Sequence, residues 1–159
     1  MEEKLNIITH GIGLLLSIVA LVLLIVYASL YGSVCHITRF AIFGASLIVL
    51  YAASTFYHYA KNPDLRIKLN ILDHAAIYVL IAGTYPPFTL VVLKGWIGWT
   101  IFGVSWGLAL IGIIFNVFYF GRFDRISTIA YVLMGWVVIF AIKPLMDELP
   151  TKGLLWLFG

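Results

Sequence analysis

The sequence predicts an all-α fold, a multi-pass transmembrane helical bundle, and three observations carry that prediction. The chain has 159 residues, of which 63% are hydrophobic and only 11% charged. Its mean hydropathy is +1.06, far outside the range of a soluble domain, whose surface needs more polar residues than this chain supplies. The apolar residues are gathered into runs long enough to cross about 30 Å of hydrocarbon as helices. These runs are continuously apolar, without the alternation of a barrel wall.

The first run covers about Ile12 to Tyr31, the second Phe40 to His58 and the third Leu69 to Val92. The fourth covers about Trp96 to Phe120, and the fifth Ile126 to Ile142. Within the third, Tyr85-Pro86-Pro87 removes two backbone donors and predicts a kink or local opening. After Pro150 the sequence reads TKGLLWLFG. As a helix this stretch rises only about 10 Å from Gly153, the start of a sixth crossing. We found no internal repeat and no low-complexity linker. The expectation is therefore one membrane domain over residues 1–159, incomplete at its C-terminal end.

Charge orients the bundle. Five crossings put the N-terminus on one side with loops 59–68 and 121–125. That side carries Lys4, Lys61, Arg66, Lys68, Arg122 and Arg125, against Arg39, Lys94, Lys143 and Lys152 on the other. The positive-inside rule then places the N-terminus in the cytoplasm. Tyr27 and Tyr31 close the first run, and Trp96 and Trp99 open the fourth, as interfacial anchors do. The opening MEEKLNIITH lacks the basic start and short apolar core of a secretory signal, so the first run is expected to be retained.

The net charge of +3 comes from residues scattered between apolar runs. It does not form the aromatic-interleaved basic face of a nucleic-acid binder. The expected surroundings are membrane lipids, with no nucleic-acid partner; the sequence specifies no oligomeric state. The single cysteine, Cys35, permits no intrachain disulfide and reads as a small filler near a helix end.

Against this apolar background one stretch stands out, STFYHYAKNPDLRIKLNILDH, residues 54–74. Ser54 and His58 are i and i+4 and share a helix face. A short loop makes the next helix an antiparallel neighbour, and Asp73 leads it. His10, Ser54, His58, Asp73, His74 and Asn116 all fall in one layer near the N-terminal side, with His36 on the far side. Polar groups inside a membrane are costly unless they face one another or a cavity. An imidazole beside a carboxylate suits metal ligation or proton transfer. It equally suits a hydrogen bond that holds helices in register. His74 points about 100° away from Asp73 and reads as interior or snorkelling. His10 reads as part of the start of the first helix, and Asn116 as an interhelical donor.

Ser54-TFY-His58 followed by LDHAAIYVLIAGTYPPF (72–88) resembles the hemolysin III proteins of bacteria, relatives of the progestin and adipoQ receptors (the PAQR group). ITHGIGLLLSI (8–18) and LMGWVVIFAIKPL (133–145) resemble the same proteins, so the likeness covers essentially the whole chain. It implies a seven-helix bundle in the bacterial inner (plasma) membrane with a cytoplasmic N-terminus. By the same resemblance His58 is a zinc ligand, Asp73 holds a water on the metal, and Ser54 lies beside it. The other ligands in the receptor branch form a His-x-x-x-His pair on the seventh helix. Three imidazoles with an open position make a catalytic zinc site, at which a carboxylate can take the proton of bound water. No His-x-x-x-His occurs in the 159 residues, so two expected histidine ligands have no counterpart here. The implied activity, by analogy to a superfamily that includes alkaline ceramidases, is zinc-dependent hydrolysis of a lipid amide or ester near the cytoplasmic leaflet. The alternatives are a pore-forming cytolysin, which the family name implies, and a receptor-like or structural membrane protein.

Overall fold

A computed structural model of the chain describes residues 2–93, 95–119, 121 and 124–158. Lys94, Arg122 and Phe120, used above for topology and for the fourth run, lie outside the described residues. Among the described residues the structure is helical, with no strand. Five helical stretches are long and apolar enough to cross a membrane.

Helix α1 spans Glu2–Tyr31 and α2 spans Val34–Tyr59. Helix α3 spans Pro63–Pro86 and continues as a π-helical segment, Pro87–Val92. Helix α4 spans Trp96–Tyr119 and α5 spans Asp124–Trp136. A 3-10 segment, Val137–Ala141, joins α5 to α6, Ile142–Glu148, and α7 covers Thr151–Phe158. The five runs are thus where the sequence places them, but several helices start earlier. Helix α1 begins with Glu2 and Glu3, whose charges suit a helix N-terminus. Helix α2 begins beyond Ser33, whose N–H donates to His36 Nδ1 at 3.3 Å and whose hydroxyl pairs with the same nitrogen at 2.9 Å. At the start of α3 the Asn62 side chain accepts from the N–H groups of Asp64 and Leu65, and Pro63 follows where a missing N–H costs nothing. Asp73 therefore sits about 15 Å along α3, deeper from the helix start than the apolar run alone suggests.

Helices α1 to α5 each pack against the next in sequence, and α3 touches α2, α4 and α5. Small residues line these contacts: Ala28, Ala53, Ala76, Ala82, Ala109 and Ser105 are all buried. Without water to drive association, close backbone approach through small side chains is how membrane helices hold together. The outward faces are apolar, with Leu15, Leu23, Ile111 and Phe140 exposed as lipid contacts would be. Tyr27, Tyr31, Trp96 and Trp99 are exposed at one end of the bundle, as anchors should be. Cys35 is exposed in the first turn of α2 rather than filling a gap.

The two breaks in helical geometry face each other. Pro86 and Pro87 lack the N–H groups that Ala82 and Gly83 carbonyls would receive, and the chain shifts to π geometry there. Thr89 Oγ1 donates to the Tyr85 carbonyl at 2.9 Å. Gly95, at φ +88°, turns the chain into α4, a left-handed conformation that glycine adopts without strain. Across the interface the Tyr85 hydroxyl donates to the carbonyls of Met134 (2.6 Å) and Gly135 (3.1 Å), just before α5 tightens into its 3-10 segment. Restarting as α6 then places Pro144 in a first turn, where proline is tolerated. Tyr85, Leu93, Ile101, Val137, Ala141 and Leu145 form the core between these breaks. All of these but Val137 border a cavity of about 150 Å³ that Thr84 and Thr89 also line.

Candidate functional site

The polar layer assembles at the end of the bundle formed by the first turns of α1, the last turns of α2 and the first half of α3. Regular helix brings Ser54 and His58 to one face of α2, and the Asn62-capped turn returns α3 alongside it. Ser54 is buried and lies beside the half-buried Asp73 carboxylate. Asp73 also lies within electrostatic reach of His74, His58 and His10. Ser54, His58, His74 and His10 are therefore gathered around Asp73.

The partner of His58 is not the expected one. Its Nδ1 lies 2.8 Å from Glu3 Oε2, a carboxylate at the start of α1, and not against Asp73. The other Glu3 oxygen accepts from Arg66 Nη2 in the first turn of α3. The Arg66 guanidinium lies over the Tyr57 ring, 4.7 Å from its centre, and Nη1 reaches the Ala60 carbonyl at 3.4 Å. Three helices are thus tied through one carboxylate. Sequence reasoning missed this cluster, having used Glu3 and Arg66 only as charges. A signal was present: Glu3 and His10 are i and i+7, two turns apart on one face, once α1 is allowed to begin at Glu2.

His10 packs between Tyr51 and His58, with ring centres 6.0 Å and 5.7 Å away. Its Nδ1 is buried without a hydrogen-bond partner in the structure, as is Asn70 Oδ1. His74 Nδ1 pairs with the Asn70 carbonyl at 2.9 Å, one turn back along α3. The His74 carbonyl accepts from the Tyr131 hydroxyl of α5 at 3.1 Å. Asn116 is the interhelical donor the sequence suggests: its Nδ2 donates to the Ile71 carbonyl at 3.0 Å. His36 stays at the far end as a capping residue.

Chemically, the layer offers a carboxylate beside a hydroxyl, an imidazole held by a second carboxylate, and a further buried ring nitrogen. It can hold and pass a proton. As a metal centre it falls short of the expected set. His58 is the matching imidazole, and among the described residues no three His, Cys, Asp or Glu side chains converge on a common point.

Apolar spans around a polar layer at one end of the bundle define the chain as a multi-pass helical membrane protein. It belongs to the haemolysin-III related family, whose model matches residues 1–159. It is similar to Hemolysin-3 of Bacillus cereus, at 48% identity over 152 residues, 96% of this chain and 69% of the relative. It is also similar to the Hemolysin-3 homolog of Bacillus subtilis (strain 168), at 51% identity over 157 residues, 99% of this chain and 74% of the relative. No solved structure matches.

Proposed function

We propose that this chain carries part of the site of a zinc-dependent hydrolase acting on lipid amide or ester bonds. On this reading the polar layer faces the cytoplasmic leaflet of a bacterial inner membrane, and the N-terminus is cytoplasmic. The observation that supports it most is the half-buried Asp73 lying beside the buried Ser54 and within electrostatic reach of His58, at the polar end of an otherwise apolar helical bundle. An ionisable group placed there against the cost of leaving water is a functional-site hypothesis by default.

The residues described do not complete a zinc ligand set, because only His58 among them matches the family's ligand motif. What the chain's own residues do is narrower. Asp73 is the proton acceptor, Ser54 lies beside its carboxylate, and His58 presents a ring nitrogen to the same space.

The test is metal analysis of the purified full-length protein, together with hydrolysis of a short-chain lipid amide and a matching ester. Wild-type protein should hold zinc and cleave one of the two; His58→Ala should lose both metal and cleavage. A metal-free wild type, or cleavage unaffected by His58→Ala, would overturn the reading.

The name of the Bacillus cereus relative, Hemolysin-3, favours a second reading, membrane lysis. Dye release from liposomes by purified protein, equal in wild type and His58→Ala, would select it over hydrolysis.

A further inference from the structure

We propose that Glu3 is the positioning residue for His58, fixing its ring so that Nδ1 carries the proton and Nε2 presents its lone pair to the polar layer. The inference rests on the reading of His58 as the working imidazole of that layer. It concerns a residue that neither the motif nor the family likeness singles out.

The chemistry follows from donor and acceptor roles. An ionised carboxylate only accepts hydrogen bonds, so the 2.8 Å contact requires a proton on His58 Nδ1. In a neutral ring that leaves Nε2 unprotonated. Arg66 holds the second Glu3 oxygen and complements its negative charge. Arg66 is itself fixed by the Tyr57 ring and the Ala60 carbonyl. Glu3 is therefore held from behind, although its side chain is 53% exposed while that of His58 is only 15% exposed. This is the arrangement by which a carboxylate outside a site orients a histidine inside it. The interior side of His58 is marked by His10, whose ring lies 5.7 Å away and whose buried Nδ1 lacks a partner in the structure.

A purely structural role for the contact makes a different prediction. A latch between α1, α2 and α3 would lower stability when cut, but would not select a tautomer. The two are separated by nitrogen NMR of the full chain labelled with [15N]histidine, in detergent, under alkaline conditions where histidine rings are neutral. His58→Ala identifies the resonances. Wild type should show His58 with a protonated Nδ1 and a bare Nε2. Glu3→Ala should lose this selection and give a mixture of tautomers. Glu3→Gln, whose amide oxygen still accepts from Nδ1, should restore it. A wild-type ring protonated at Nε2, or one whose tautomer Glu3→Ala leaves unchanged, overturns the proposal.

The readout needs no metal and no substrate, so it is independent of the hydrolase reading. A fixed tautomer in a protein that binds no zinc sinks the hydrolase and keeps the positioning role. Zinc bound with an unchanged tautomer in Glu3→Ala does the reverse.

Discussion

The two halves of α3 meet their neighbours by different means. In the first half the helix is regular, and side chains make the links: Glu3 to Arg66, and Asn116 and Tyr131 to backbone carbonyls. In the second half the backbone itself departs from α geometry. The links there run from one tyrosine hydroxyl to two carbonyls, and through close backbone packing. The difference teaches where a membrane helix tolerates irregularity. Freed carbonyls are costly in hydrocarbon, so a break survives only where a neighbour's donor or a packed backbone covers it. Chemistry-bearing side chains instead need a rigid helix that fixes their spacing. Helix α3 can serve both ends because it is the most enclosed span, with 44% of its apolar window buried against 11% for α1.

The comparison breaks most severely at Gly98. This residue opens α4 against the π-helical segment, and a Cβ there would overlap the Thr89 carbonyl oxygen and crowd that of Leu93. Both obstacles are backbone atoms, so no side chain can swing aside. Gly98→Ala should destabilise the bundle by about 3 kcal/mol, the upper end of overpacking penalties. Unfolding of purified protein in a mixed-micelle denaturant titration measures it. A variant as stable as wild type would mean that α4 and the π segment are not in contact, and that something else covers the break.

Tyr85→Phe probes the same region more gently. It keeps the ring in the core and removes the donor to Met134 and Gly135. The loss should be about 1.7 kcal/mol, the upper end for hydrogen bonds between membrane helices, because one hydroxyl serves two carbonyls. Hydrogen exchange supplies the sharper readout. Amides of the 137–141 segment should exchange faster, because the hydroxyl that occupies the carbonyls before it is gone. Unchanged exchange there would show that the 3-10 turn forms from its own sequence alone.

How far the sequence reveals these two regions also differs. The five spans are legible because an apolar run of membrane length has few alternatives in water. Their starts are less so: the first turns of α1 and α3 carry Glu2, Glu3, Asp64 and Arg66, which hydropathy assigns to loops. The Ser54, His58 and Asp73 grouping is legible because i, i+4 spacing and a short loop bring these residues together. Glu3 meeting His58 and Arg66 is not, since those contacts bridge 55 and 63 residues of chain and depend on how α1 leans on α2. At Pro86-Pro87 a break is legible, but its π form is not. That form depends on the absence of a Cβ at Gly98 and on the Tyr85 bond to α5, which no local pattern announces.

The smallest effect is expected back at the regular end. Asn116 is buried at 4% exposure, and its amide donates to the Ile71 carbonyl, which can also serve its own helix. Asn116→Leu should therefore cost only about 0.6 kcal/mol, the average for such interhelical bonds. It should leave the His58 ring spectrum as in wild type, because Asn116 joins α4 to α3 and touches neither Glu3 nor His58. That pairing of results would divide the polar layer into residues that hold helices together and residues that hold a ring. A changed His58 spectrum in Asn116→Leu would erase the division and make the whole layer one coupled network.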